Sequence, residues 1–196
     1  MNRLIIVGSP RTEGRSASLA NELFEACIED YPDDGVSLAP VSTLDIAGCN
    51  GCNSCKELVE GWLNKPSEEA SNRCVIEDDM EQIYELIDSA DEIVVVSPVY
   101  FGGAPAQLTC LLNRFQPYYY AKKYKGDKRP LTLHVIGEGK DPFGYKALVL
   151  QIQDAFYSAG FELNCIVDWV GKIDEDGAIV EDASEFTVDE YLASVK

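Results

Sequence analysis

Residues 3–18 run Arg3-Leu4-Ile5-Ile6-Val7-Gly8-Ser9-Pro10-Arg11-Thr12-Glu13-Gly14-Arg15-Ser16-Ala17-Ser18. Leu4 to Val7 are all Leu or β-branched and leave no polar face to wet. Residues 3–8 therefore read as a strand buried on both sides, the habit of parallel sheets. Beyond the polar loop, Leu19, Ala20, Leu23, Phe24, Cys27 and Ile28 recur at helical spacing, with Ser16 as a suitable N-cap. Strand, loop and helix in this order form half of a βαβ unit.

The alternation continues outward. Strands are expected over 36–41, 92–97, 131–136 and 161–167. Asp78-Asp79-Met80-Glu81 has the capping-box pattern and opens a helix with Ile83, Leu86 and Ile87 inward. Leu108, Leu111, Leu112 and Phe115 mark a further helix, and Leu148, Val149, Ile152 and Phe156 another. Five strands alternating with four helices imply a parallel sheet sandwiched between helical layers, with ligands beyond the carboxyl ends of the strands. Residues 1–196 read as a single domain. It carries a cysteine-rich insert at about 48–77, without clear periodicity, and an acidic tail at about 174–196 that suits a peripheral strand or arm.

The totals agree. A chain of 196 residues, 46% apolar and 26% charged, builds a full globular core. A formal charge of −18 opposes phosphate backbones and anionic lipid, so neither nucleic acid nor membrane is an expected partner. The apolar run Leu4 to Val7 is too short for a secretory signal, and no run approaches the roughly 18 residues of a spanning helix. A cytoplasmic, reducing compartment is expected. Seven cysteines, three of them within residues 49–55, then suggest metal or redox chemistry over a disulfide framework.

The loop from Gly8 to Ser18 joins a strand to a helix N-terminus, where free N–H groups and the helix dipole favour an anion. Ser9, Thr12, Ser16 and Ser18 offer hydroxyls and Arg11 a positive charge. The segment has neither the Gly-Lys-Ser/Thr ending of a nucleoside-triphosphate loop nor the Gly-x-Gly-x-x-Gly of a dinucleotide fold, so one terminal phosphate suits it. A bland polar turn is the alternative. On the same sheet edge, Ser97-Pro98-Val99-Tyr100-Phe101-Gly102-Gly103 supplies aromatics and extended backbone for a flat ring, and Gly137-Glu138-Gly139-Lys140 is a third candidate or a solvated turn.

In these residues the chain resembles the NADPH-dependent FMN reductase and iron-sulfur flavoprotein families. The motifs are Gly8-Ser9-Pro10-Arg11, Cys49 to Cys55, Cys74-Val75-Ile76-Glu77-Asp78-Asp79-Met80 and Ser97 to Gly102, in family order. The resemblance implies a flavodoxin-like three-layer sandwich with a five-stranded sheet of order 2-1-3-4-5. It implies FMN, with its phosphate near Ser9, Arg11, Thr12, Ser16, Ala17 and Ser18, and its ring near Pro98, Val99, Tyr100, Phe101 and Gly102, with Gly137, Glu138 and Gly139 along the edge. It also implies a homodimer or homotetramer, an electron donor that is NAD(P)H or a reduced carrier protein, and an acceptor that is a small molecule such as a quinone, or a redox protein.

Cys49-x-x-Cys52-x-x-Cys55 packs three thiols into one turn, where Gly48, Asn50, Gly51 and Asn53 relieve backbone strain. The family's fourth ligand corresponds to Cys74. Residues 56–73 separate it from Cys55, a longer gap than iron-sulfur members keep, though Trp62, Pro66, Glu68 and Glu69 could form a helix and turn that returns it. A [4Fe-4S] cluster, an empty thiol set and a structural zinc site are the three readings. Cys27, Cys110 and Cys165 fall on apolar faces, His134 reads as a core or edge residue, Arg114 as structural, and Tyr118-Tyr119-Tyr120 as an aromatic run a monomer would expose. The competing functions are an FMN oxidoreductase, a flavodoxin-like electron-transfer module without enzymatic activity, and a flavin-free zinc-clipped binding domain.

Overall fold

The computed structural model describes residues 1–62, 74–139 and 141–195. Its sheet has the strand order β2-β1-β3-β4-β5-β6. The strands are β1 (Asn2–Val7), β2 (Gly35–Pro40), β3 (Glu92–Pro98), β4 (Arg129–Ile136), β5 (Phe161–Asp168) and β6 (Ser184–Phe186). The first five are parallel in the 2-1-3-4-5 order of flavodoxin-like folds. The sixth extends the expected five-stranded sheet: it lies in the acidic tail and pairs antiparallel with β5. Helices are α1 (Arg15–Asp30), α2 (Ser54–Trp62), α3 (Met80–Ser89), α4 (Ala106–Asn113), α5 (Gln116–Tyr120), α6 (Lys146–Ser158) and α7 (Val188–Ser194). No described helix is long and apolar enough to cross a membrane.

Period-2 alternation along β1 divides the core in two. Leu4 and Ile6 join Ile83 and Ile87 of α3, Leu108 and Leu111 of α4, and Leu148 and Phe156 of α6 on one face. Ile5 and Val7 meet Leu19 and Ala20 of α1 and Ile173 on the other. All four β1 side chains are at most 3% exposed, and fully burying each contributes roughly 1.5–3 kcal/mol, which is why this run forms an inner strand. Gly8, at its end, has no room for a side chain: a Cβ there would lie 2.6 Å from Leu108 Cδ2.

Two helix starts differ from the sequence reading. Helix α1 begins at Arg15 after Gly14, with no side-chain cap, so Ser16 sits inside the first turn and is buried. Helix α3 begins after Asp79 without a capping box. Asp78 instead accepts from the N–H groups of Met80 and Ala47 while pairing with Arg114, and that stronger partner takes the carboxylate a cap would have used. Within the irregular stretch 42–77, α2 starts at Ser54. A capping box forms at the far end, where Thr187 and Glu190 open α7.

Candidate functional site

A cleft of about 500 Å³ lies along the carboxyl edge of the sheet, lined by the loops after β1, β3, β4 and β5. Of the residues expected from sequence, Ser9, Arg11, Ser16, Pro98, Val99, Tyr100, Phe101, Gly137, Glu138 and Gly139 line it. Thr12, Ala17, Ser18 and Gly102 do not. Thr12 lies exposed on the loop crest, and Ser18 Oγ lies 2.7 Å from where a Cβ on Gly177 would sit, turned towards the C-terminal arm. Gly102 closes a turn behind the lining. Lys140 lies outside the described residues.

At the β1 end the loop is uncommitted. Ser9 Oγ accepts from the Arg11 N–H at 3.1 Å, a local turn that shapes the loop. The Arg11 guanidinium and the Ser16 hydroxyl make no hydrogen bond among the described residues, and the α1 N-terminus carries no side-chain cap. Neighbouring Arg15 is engaged, donating to the Asp174 carbonyl at 2.8 Å and pairing with Glu138 at 3.4 Å. Among the described lining residues Arg11 is the cation without a partner, at the point where a helix dipole also favours an anion.

The middle of the cleft is the loop after β3. Tyr100 and Gly103 exchange backbone hydrogen bonds at 2.9 and 3.0 Å across Phe101 and Gly102, both in the left-handed region with φ of 52° and 73°. For Gly102 that conformation is free of strain, whereas for Phe101 it costs on the order of 1–2 kcal/mol. The Phe101 side chain is fully exposed at the cleft mouth. Val99 N–H is tied to the Ile136 carbonyl and Leu148 N–H to the Gly102 carbonyl, so the loop is braced by β4 and α6.

The far end was missed by the sequence reading. Tyr145, at the start of α6, and Asp168 and Val170, at the end of β5, line the cleft with Asp141 and Gly144. The rule that ligands sit beyond strand ends pointed to the loop after β5 as well as to the other three, and only that signal could have found Asp168. Nothing in the local pattern distinguishes Tyr145. Burial, with the Asp168 carboxylate adding to it, pushes its phenol pKa up. His134 takes no part in the cleft lining. It is 8% exposed, its Nδ1 accepts from Trp169 Nε1 at 3.0 Å, and burial pulls its pKa down to about 4.

Cys49, Cys52, Cys55 and Cys74 line a second, separate pocket of about 20 Å³, together with Arg114. The turn is built as its residue types suggest: Gly51 and Asn53 adopt positive φ, and Asn50 Oδ1 accepts from the Cys52 N–H at 3.2 Å. Ser54 holds the Cys52 thiol below its ordinary pKa through its hydroxyl and backbone, while burial, and then the sulfurs of Cys74, Cys49 and Cys52, push Cys55 up. Among the described residues no three of His, Cys, Asp or Glu converge as metal ligands, and a pocket of this volume holds about one water-sized group. Pro66, Glu68 and Glu69, expected to help return Cys74, lie outside the described residues.

Arg114 is structural, as its position suggested. It is 1% exposed, pairs with Asp78 at 2.6 Å, and donates to the carbonyls of Ala47 and Ile76 at 3.0 and 3.2 Å, so that it clasps both ends of the cysteine segment. Burial opposes the Asp78 charge, but Arg114 and the N–H groups of Ala47 and Met80 outweigh it and hold the carboxyl below its usual range. Cys27, Cys110 and Cys165 are half-buried. The tyrosine run splits: Tyr118 is core, 1% exposed and edge-on to Tyr84, and only Tyr119 is exposed.

An iron-sulfur flavoprotein of Methanocaldococcus jannaschii is 39% identical over 114 residues, which is 57% of this chain and 50% of that one. One of Archaeoglobus fulgidus is 28% identical over 168 residues, covering 82% of this chain and 69% of the relative. The first match therefore spans only half of its relative. Among solved structures, an FMN-dependent NADH-azoreductase from Bacillus anthracis in complex with FMN superposes with a TM-score of 0.58 at 15% identity, covering 90% of this chain and 89% of that one, a likeness of fold. The family model for NADPH-dependent FMN reductases matches residues 1–160, and the chain belongs to that family.

Proposed function

We propose that this chain is an FMN-dependent oxidoreductase that takes electrons from NAD(P)H or a reduced carrier protein and passes them to a small acceptor such as a quinone, or to a protein partner. The observation that carries this reading is the polarity of the cleft along its length. The phosphate-sized end at β1 has an unpartnered cation, buried hydroxyls and a helix N-terminus. The ring-sized middle has braced, extended backbone with aromatic side chains. Three ladder steps from β1 to β5, at about 4.8 Å each, give a length suited to a mononucleotide. The residues present fit FMN.

When bound, the flavin supplies the hydride and electron chemistry, so no side-chain acid or base is strictly required. In this reading Arg11, Ser9 and Ser16 hold the phosphate. Pro98, Val99 and Tyr100 position the ring against the strand ends, and Phe101 screens the mouth from water. Gly137, Glu138 and Gly139 border the ring on the β4 side. The acidic field disfavours anionic acceptors and favours neutral or cationic ones. Exposed Phe101, Tyr119 and Phe143 support a homodimer or homotetramer.

The reading extends to the four thiols. Cys49, Cys52, Cys55 and Cys74 are the residues that would hold a [4Fe-4S] cluster, and such a group would supply one-electron relay chemistry. The support is that the four thiols line one pocket beside the buried Arg114 and that the two archaeal relatives are named iron-sulfur flavoproteins; among the described residues the thiols do not converge as ligands, so the pocket would have to open around the cluster.

Freshly purified, anaerobically handled protein tests the whole reading. Flavin absorption bands with FMN as the released cofactor, and steady-state NAD(P)H oxidation, are the expected results. Colourless protein that takes up no FMN would overturn it. Flavin binding without NAD(P)H oxidation would favour the electron-transfer module, and zinc without flavin would favour the binding domain.

A further inference from the structure

Among the described residues, the cleft lining contains one buried side-chain polar atom that makes no hydrogen bond. Tyr145 is 5% exposed and lines the cleft, and its Oη makes no hydrogen bond. After burial, the Asp168 carboxylate raises the phenol pKa most, by its charge and as an acceptor within reach of the hydroxyl, but the pair falls outside full hydrogen-bond distance and angle, so among the described residues Asp168 is the one competing acceptor beside a ligand. The ring around that atom is fixed. It stacks on Tyr191 with centroids 4.3 Å apart and planes 12° from parallel, and Tyr191 Oη accepts from the Tyr145 backbone N–H at 2.8 Å. Native folds rarely leave such a donor unmet, because desolvating it without a bond is costly, so an unmet one facing a cleft marks where a ligand acceptor belongs.

Position along the cleft identifies the acceptor. Tyr145 opens the helix reached from β4, and Asp168 ends β5, whereas Arg11 follows β1. In the order β1-β3-β4-β5 the tyrosine thus stands two to three ladder steps from the cation, about 10–14 Å at the usual strand spacing. A phosphate held by Arg11 leaves the ring end of the cofactor at Tyr145. Its high pKa keeps the phenol protonated across the physiological range, so it acts as a donor and calls for an oxygen or nitrogen acceptor.

We propose that Tyr145 Oη donates a hydrogen bond to a carbonyl oxygen on the flavin ring edge, making Tyr145 a cofactor-recognition residue independent of the phosphate loop. This rests on the FMN reading of the cleft. The test is to titrate FMN and riboflavin, which lacks the phosphate, into apo-protein by flavin fluorescence quenching. Wild type, Tyr145→Phe and Arg11→Ala are compared. Tyr145→Phe keeps the ring and its stack on Tyr191 and removes only the hydroxyl. It should weaken FMN and riboflavin alike, by about 3- to 10-fold. Arg11→Ala should weaken FMN by about 10- to 100-fold and leave riboflavin unchanged, as expected for a charge-assisted phosphate contact.

Thermal unfolding of the apo-protein gives a readout separate from binding. Because the unmet donor is gone, Tyr145→Phe should melt at or above the wild-type temperature. Unchanged flavin affinities in Tyr145→Phe, a loss confined to FMN, or a lowered apo melting temperature would each overturn the proposal. Wild type that binds neither flavin would overturn the cofactor reading itself, and a wild type that binds FMN beside an unaltered Tyr145→Phe would overturn only this inference.

Discussion

The cleft and the cysteine pocket are organised in opposite ways. The cleft is lined from four loops spread between Ser9 and Val170, and the sheet ladder brings them together: β1 pairs with β3, β3 with β4 and β4 with β5. The cysteine pocket takes three of its four thiols from one seven-residue turn, and its segment is held by the buried Arg114–Asp78 pair, the clasp, together with the Asp45–Asp79 hydrogen bonds and the packing of α2 on α5. A site made by a ladder inherits the cooperativity of the whole core. A site held by a few local contacts leans most on the buried pair among them, and the two should fail separately.

The largest effect should come from breaking the clasp. Arg114→Met leaves the Asp78 carboxylate buried without its partner, which typically costs about 3–5 kcal/mol. A shifted denaturant midpoint, together with faster thiol labelling of Cys55 and Cys74, is expected, while FMN affinity of the folded protein should stay within about threefold of wild type. If flavin binding collapses in proportion to stability, the two regions are one cooperative unit and the contrast fails.

Acid should separate them next, because the titrating groups work in different windows. His134 lies on β4 within the ladder, and its folded pKa of about 4 is below the ordinary 6.5. The native state therefore binds fewer protons than the unfolded state, so His134 contributes stability that is present above pH 6.5 and lost as pH falls towards about 4, up to about 3 kcal/mol. Asp78 is also depressed, from 3.8, so the clasp's contribution is present above that value and is lost only as pH falls through the lower folded pKa. A stability profile that declines from pH 6.5 to 4 in wild type and flattens in His134→Asn would place that slope on the ladder. An unchanged slope in the variant would remove it.

The smallest effect should come from Cys52→Ser. Cys52 is exposed, so the metal-free variant should lie within about 0.5 kcal/mol of wild type and bind FMN equally. If the four thiols hold a cluster, iron and sulfide should be lost from the variant while FMN stays, since oxygen is the poorer ligand for that group. Wild-type protein that takes up no iron on anaerobic reconstitution would dismiss the cluster. Loss of FMN from the variant would show that the pocket and the cleft are coupled.

The sequence by itself determined the features that local chemistry encodes. The run Leu4 to Val7 can only be an inner strand, and the apolar stripe from Leu19 to Ile28 makes the next element a helix. The glycines and asparagines between Cys49 and Cys55 give the tight turn that forms, with Gly51 and Asn53 left-handed. The parallel arrangement and the first two cleft loops rest on those same patterns, whereas the strand order came from the family resemblance. Tertiary structure decided the features that depend on partners far along the chain. Asp78 reads as a capping residue until Arg114, in the turn between α4 and α5, takes its carboxylate. Tyr118 reads as part of an exposed run until Tyr84 and Phe115 enclose it. Tyr145 carries no local signal, because an unpaired hydroxyl exists only once β5, α6 and α7 have closed around it. Propensity and periodicity act over a few residues, whereas burial and pairing are properties of the assembled core, and the far end of the cleft is made of the latter.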